Sequence, residues 1–179
     1  GLGLFSRSPL ARGTFICEFA GELISDEETS RRWDEYKALG VGNYILCINE
    51  GLPESGDGVR TNIDPTRRGN VARFINHLCP PLTNLIILPV RCDSHLSLLP
   101  ADVPAPPRAA IFAKRDIAAD EELGYDYADA SGQMQEEGEG DGEGGKGVTE
   151  GRERVEGRTT CRCGSVQCRG WLPSAAHRL

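Results

Sequence analysis

Three cysteines within eight residues, in the stretch TTCRCGSVQCRGWL at 159–172, constrain this chain more than any other feature. Cys161, Cys163 and Cys168 form CxCxxxxC, one thiol more than a disulfide needs and one fewer than a closed tetrahedral zinc site takes. The single residue between Cys161 and Cys163 is too short a spacer for an easy disulfide, whereas two such sulfurs can bind one metal. Arg162 and Arg169 beside them favour the thiolate state that a metal requires. A fourth ligand must come from elsewhere, so the fold has to bring a distant segment to the tail. Cys17, Cys47, Cys79 and Cys92 are the candidates. Cys17, Cys47 and Cys92 sit in apolar stretches that read as strands, where a free cysteine is usually a small buried hydrophobe. Cys79 lies in turn-rich NHLCPPLTN, where a sulfur can project outward; it is the best placed, but spacing alone leaves the choice open.

At 179 residues the chain is the size of one ordinary domain and buries a core without disulfide staples. The odd count of seven cysteines and the missing apolar leader argue for a reducing, intracellular setting. No apolar run approaches the length of a membrane-spanning helix. The chain opens on Gly1 rather than Met and so reads as a fragment, which leaves localisation to be inferred from function. Residues 131–158 hold nine glycines and eight acids against four bases, with almost no aliphatic side chains. Such a segment cannot bury enough surface to offset the entropy of ordering. It reads as a disordered acidic Gly/Glu-rich insert between a body at 1–130 and a tail at 159–179. The insert carries much of the net charge of −7, and the remainder is only mildly acidic at −3. That balance argues against tight nucleic-acid binding and suits a basic substrate such as a lysine-rich tail.

Within the body, TFICEF (14–19), NYILCI (43–48), NLIILPVRC (84–92) and AAIFAKR (109–115) read as strands. SDEETSRRWDEYKALG predicts one amphipathic helix, with Ser25 and Glu28 at capping-box spacing and Gly40 at the end. Pro89 inside a strand implies an edge or a bulge. GNVARFINH (69–77) predicts a short helix and GLPESGDGVR (51–60) a surface turn. The expected fold is mostly β with minor helices.

The remaining signals are weak singly. GLG at 1–3 suits close backbone approach to a ligand but does not continue as GxGxxG. Asn76 and His77 are adjacent ahead of Cys79, a pairing that usually makes ordinary turn hydrogen bonds. In EELGYDY, Tyr125 and Tyr127 fall at i, i+2, so an extended backbone sends both rings to one face.

Taken in order, GLG at 1–3, CEFAGE at 17–22, RFINHLC at 73–79, ELGYDY at 122–127 and CxCxxxxC followed by RGWL resemble a SET-domain protein lysine methyltransferase with a post-SET tail. The resemblance covers the whole chain apart from the acidic insert. It implies a SET fold of several small curved sheets with short helices, and a post-SET tail whose Cys161, Cys163 and Cys168 bind one zinc ion with Cys79. It implies S-adenosylmethionine as methyl donor, held by Gly1, Leu2, Gly3, Tyr44, Arg73, Asn76 and His77, with Trp171 against the adenine or the lysine channel. Tyr127 is the implied catalytic tyrosine, Tyr125 falls where the family varies between Phe and Tyr, and Phe19 replaces the usual Tyr of EYxG. A hydroxyl at Tyr125 leaves less room at the amine, so mono- or dimethylation is expected. The implied substrate is the histone H3 tail in the nucleosome, with lysine 36 ahead of lysine 9, and the implied location is chromatin in the nucleus. No direct sequence-specific DNA binding and no membrane association are expected.

Several positions depart from the family pattern. Leu78 stands for the usual Ser of NHSC, and the turn CPPLTN is two residues longer than usual, which bears on Asn84. Relatives of this kind carry a cysteine-rich zinc cluster ahead of the GxG at which this chain starts. The alternatives are a non-catalytic SET module that binds histone tail or cofactor, and, further off, a zinc-tail DNA-binding protein.

Overall fold

The computed structural model describes residues 2–51, 58–91, 106–130 and 159–173. Gly1, Cys92 and the acidic insert lie outside the described residues. Three small sheets of three strands each form the frame. In the first, β2 (Phe15–Glu18), β8 (Arg108–Ala113) and β7 (Leu85–Val90) run antiparallel, with β8 in the middle. Alternation sends Leu85 and Ile87, and Ala109, Ile111 and Ala113, into the core. Ile86, Leu88 and Phe15 face outward. Pro89 lies in β7, the edge strand, where a residue without an N–H is tolerated.

The second sheet joins β3 (Glu22–Ile24), β5 (Gly58–Asp64) and β4 (Leu46–Gly51). Helix α1 (Asp26–Ala38) is tied to it by charge more than by apolar contact. Its cap is as the spacing predicts: the Ser25 side chain accepts from the Glu28 N–H at 3.1 Å, and Gly40 follows the last turn at φ 64°. Arg32 donates to Asp64 at 2.8 Å, to Glu22 at 3.0 Å and to Glu28 at 2.7 Å, and the Tyr36 hydroxyl donates to Asp64 at 2.7 Å. Asp64 is wholly buried. Burial disfavours its charge, but hydrogen bonds from Thr66, Tyr36 and Arg32 outweigh that and hold its carboxyl below the usual range.

The third sheet positions the site. In it β1 (Leu4–Phe5) pairs antiparallel with β9 (Glu122–Tyr125), and β6 (Asn76–His77) pairs parallel with β9 on the other side. This register sets Asn76 beside Gly124 and His77 beside Tyr125. One core, built on Ile75, Leu85, Ile111, Ile117 and Leu123, lies beneath it.

The structure corrects four expectations. The segment 69–77 forms only a single 3-10 turn, Val71–Phe74, before entering β6, because Ile75 adopts extended backbone. Of the turn predicted over 51–60, residues 52–57 lie outside the described residues, Gly51 ends β4, and 58–60 belong to β5, the central strand of its sheet. The strand expected from Asn43 begins only at Leu46. EELGYDY does not stay extended: β9 stops at Tyr125, and Tyr127 opens the short helix α2 (Tyr127–Ala130). Among the described residues no helix is long and apolar enough to cross a membrane.

Candidate active site and metal centre

Two phenols meet at the end of β9. The rings of Tyr125 and Tyr127 lie 4.9 Å apart between centroids at 44°, and the His77 ring sits 5.2 Å from Tyr127. Tyr127 donates its hydroxyl to the Ile75 carbonyl at 2.9 Å, while its backbone N–H donates to His77 Nδ1 at 3.2 Å. Burial, and then the neighbouring Tyr44 phenol, push the Tyr127 hydroxyl up to about 12. It is therefore a neutral phenol at physiological pH. Burial also raises Tyr125 well above its usual value, with Tyr127 adding to the effect. Phe19 is 3% exposed and packs in the same core cluster as Tyr125.

A second group of the expected residues gathers at the start of the chain. Asn76 donates through Nδ2 to the Leu2 carbonyl at 3.1 Å and to Glu122 at 2.8 Å. A Cβ on Gly3 would lie 2.7 Å from Glu122 Oε1 and 3.1 Å from Asn76 Nδ2, so a larger residue there would have to push these two side chains aside. Arg73 has its guanidinium near the carbonyls of Pro65 and Thr66, both at 3.4 Å, and over the Phe74 ring at 4.6 Å. Tyr44 is partly exposed, as is Trp171, which bridges to Thr160 in the tail.

The cysteine question has a geometric answer. The sulfurs of Cys79, Cys161, Cys163 and Cys168 all lie within 4.8 Å of one another. Four thiols so placed match the sulfur spacing of a tetrahedral metal site with metal–sulfur bonds of about 2.3 Å. Cys47 is buried and Cys17 half-buried, each apart from this group. The tail reaches Cys79 through tight turns: Gly164 and Gly170 take positive φ of 76° and 86°, and the Ser165 hydroxyl donates to the Pro80 carbonyl at 2.6 Å. Burial raises the Cys79 thiol and pushes Cys161 up to about 12. Burial opposes ionisation of Cys163 too, but the Ser165 and Cys79 N–H groups and the neighbouring thiols outweigh it and bring Cys163 down to about 7. Cys163 is thus ready to ionise near neutral pH, and a bound metal would favour the thiolate form of its ligands further.

Residues 1–128 match the family described as the SET domain. The chain belongs to the SET-domain family. This SET domain is 38% identical over 176 residues to the probable histone-lysine N-methyltransferase set-23 of Caenorhabditis elegans, covering 98% of this chain and 57% of that protein. It is 35% identical to human histone-lysine N-methyltransferase SETMAR over 97% of this chain and 22% of that protein. It is 36% identical to Arabidopsis thaliana histone-lysine N-methyltransferase SUVR3 over 95% of this chain and 41% of that protein. The crystal structure of the methyltransferase domain of human SETMAR superposes with a TM-score of 0.67 at 31% identity, covering 96% of this chain and 53% of that one. The SET domain thus spans less than two thirds of each of these relatives. The expected architecture, mostly strands with short helices and a four-cysteine cluster at the tail, is the one present.

Sequence reasoning missed two participants in this SET domain's site, the Ile75 carbonyl and Asp126, and left the placement of a third, Asn84, in question. The Ile75 carbonyl holds the Tyr127 hydroxyl, a backbone role that no side chain announces. Asp126, 1% exposed, pairs with Arg169 of the tail. Asn84 donates to Glu121 and to the Glu122 carbonyl, and accepts from the Gly124 N–H at 2.9 Å, so the lengthened turn before it still delivers a clamp to β9. The Arg169 guanidinium pairs with Asp126 yet still interacts electrostatically with Cys79, and the Arg169 backbone N–H also favours the Cys79 thiolate.

Proposed function

We propose that this SET domain is an S-adenosylmethionine-dependent lysine N-methyltransferase acting on the histone H3 tail. The observation that supports it most is the pair of phenols in tilted contact, Tyr125 buried and Tyr127 partly buried, against His77 and the Ile75 carbonyl, in a chain whose relatives are named histone-lysine N-methyltransferases. When bound, S-adenosylmethionine supplies an electrophilic methyl group on a positive sulfonium. Gly1, Leu2, Gly3, Tyr44, Arg73, Asn76, His77 and Trp171 are the residues proposed to hold it. The close approach of Gly3 to Asn76 fits a cradle made largely from backbone.

The reaction asks little acid–base chemistry of the protein. A lysine entering a channel beside Tyr125, Tyr127 and Phe19 leaves water, and that desolvation lowers its pKa towards the neutral amine that attacks. Alignment alone supplies several kcal/mol of such a barrier. Tyr127 keeps its proton on the Ile75 carbonyl and turns its oxygen lone pairs to the reacting groups. The Tyr125 hydroxyl occupies space at the amine, which favours mono- or dimethylation. The resemblance orders lysine 36 ahead of lysine 9, on the nucleosome, in chromatin of the nucleus. Zinc is the metal proposed for Cys79, Cys161, Cys163 and Cys168, since four thiolates form its usual structural site. The division into body, acidic insert at 131–158 and tail is part of the same reading.

Labelled methyl transfer from S-adenosylmethionine to an H3 peptide array tests the proposal. The wild-type chain transfers label to H3, and Tyr127→Phe lowers the rate by about 100-fold, the usual loss when one preorganised hydroxyl is removed. Peptide binding with no transfer in the wild type would replace the enzyme by a non-catalytic histone-binding module. Salt-dependent retention on DNA with no transfer would favour the DNA-binding alternative.

A further inference from the structure

Resting on the reading of this site as a methyltransferase, we infer that the Asp126–Arg169 ion pair is the device through which the cysteine tail holds the two tyrosines in register. Asp126 lies between Tyr125 and Tyr127 in the chain and is 1% exposed. Arg169 meets it with both arms of the guanidinium, Nη1 to Oδ1 at 2.7 Å and Nη2 to Oδ2 at 2.6 Å. The first is a charge-assisted hydrogen bond and the second a charge contact, and together they hold the guanidinium against the carboxylate. Arg169 in turn follows Cys168 directly, and its backbone N–H donates to the Cys79 sulfur.

The other side of Asp126 closes the circuit. Its Oδ1 accepts from the Ala128 N–H at 3.0 Å, which fixes the turn from β9 into α2, and lies 3.7 Å from His77 Nδ1. His77 Nδ1 meets the Tyr127 N–H at 3.2 Å, and Nε2 faces the Cys79 sulfur at 3.0 Å. The contacts therefore run from Cys168 through Arg169, Asp126 and His77 back to Cys79, and every step borders a tyrosine or a sulfur of the cluster.

An ion pair whose carboxylate is buried and whose guanidinium is 33% exposed is a poor source of stability, because desolvation of the carboxylate consumes much of the Coulombic gain, and apolar replacement is often neutral. The location of this one points to placement instead. Asp126 sits where the backbone changes from strand to helix, which is the turn that brings the Tyr125 and Tyr127 rings within 4.9 Å. With the tail undocked, the carboxylate has no guanidinium and the turn loses its tether. Asp126 and Arg169 are positioning residues: they touch neither donor nor amine, and they couple tail docking to phenol geometry.

The experiment compares Arg169→Met, Arg169→Lys, Asp126→Asn and the double variant Asp126→Asn/Arg169→Met in the full chain. It measures zinc content, melting temperature, kcat, KM for an H3 peptide, and hydrogen exchange at Tyr127 and Ala128. Arg169→Met is expected to keep its zinc and to lose kcat by about 10-fold to 100-fold, the penalty of a small misplacement, with KM changed far less. Exchange at the two amides speeds up in parallel. Asp126→Asn alone follows the same pattern. The double variant leaves no unpaired buried charge, so its melting temperature recovers while kcat and exchange do not. Arg169→Lys rescues only in part, since a single ammonium cannot place one nitrogen beside each carboxylate oxygen. Recovery of kcat together with melting temperature in the double variant overturns the inference, as does an Arg169→Met protein with wild-type kcat and exchange. A wild-type chain that transfers no methyl removes the enzymatic reading instead, and the exchange comparison still decides whether the tail governs the tyrosine turn.

Discussion

Tyr125 and Tyr127 carry the same phenol two positions apart, and their surroundings give them different tasks. Tyr127 commits its proton to the Ile75 carbonyl at 2.9 Å, so its oxygen is fixed in place. Tyr125 is 7% exposed and its ring leans on Tyr127 at 44°, so it is held by packing. Replacing Tyr125 by Phe keeps that ring and removes only the hydroxyl, freeing room of about one water, roughly 15 Å³ by the size of a single probe sphere. The nearby Phe19 already lacks the corresponding hydroxyl. With less polar volume at the amine, Tyr125→Phe is expected to shift products on H3 peptides towards higher methylation states, while total turnover stays within about tenfold, as for loss of one modest hydrogen bond. Mass spectrometry of peptide products reads this directly. Dominant trimethyl-lysine from the wild-type chain would contradict the assignment of the Tyr125 hydroxyl as the limit.

At the scale of elements, the site depends on the two-residue strand β6 lying parallel to β9. Contact there is close enough to exclude a side chain: a Cβ on Gly124 would stand 2.4 Å from Leu78 Cγ and 3.0 Å from the Asn76 carbonyl oxygen. Gly124→Ala should therefore destabilise the chain by about 1–3 kcal/mol, the usual cost of overpacking. Adding Leu78→Ala removes the worse clash and recovers part of the loss, while the backbone contact at Asn76 remains. Urea melts of the single and double variants measure both steps, and an unaffected Gly124→Ala midpoint would mean that β6 and β9 are not so tightly paired. A pair of two residues is also why this sheet was hard to read from the sequence, since β1 and β6 are too short to show any periodicity. The central strand β5 escaped notice for a different reason. Its Arg60, Asn62 and Asp64 look solvent-facing, yet Asn62 and Asp64 are buried and held by Asp26, Arg32 and Tyr36. Helix α1 and strands β2, β7 and β8 were legible because their caps and apolar runs are local signals. The Asp126–Arg169 pair was not, because nothing local tells an aspartate between two tyrosines that its partner lies 43 residues away.

For the molecule as a whole, the cysteine cluster is what joins the tail to the body. Among the described tail residues only the Cys161 side chain is buried, so the segment has no core of its own. Its ties to the body include the Ser165 hydroxyl on Pro80, Arg169 on Asp126 and the backbone N–H groups of Arg169 and Cys79 at the sulfurs. A metal held by Cys79 and the three tail thiols adds several coordinate bonds across a separation of 82 residues, and its binding free energy becomes docking free energy for the tail. Chelation should then release the tail while leaving the body folded, because Ile75, Leu85, Ile111 and Ile117 pack without it. The expected result is rapid tryptic cleavage after Arg162 and Arg169 once metal is removed, with the main melting transition little changed and methyl transfer lost. Cys79→Ser should reproduce this without chelator, since it removes the one ligand supplied by the body. Protection of Arg162 and Arg169 that survives both chelation and Cys79→Ser would mean that the tail is held by something other than a shared ion, and the clustering of the four sulfurs would need another explanation.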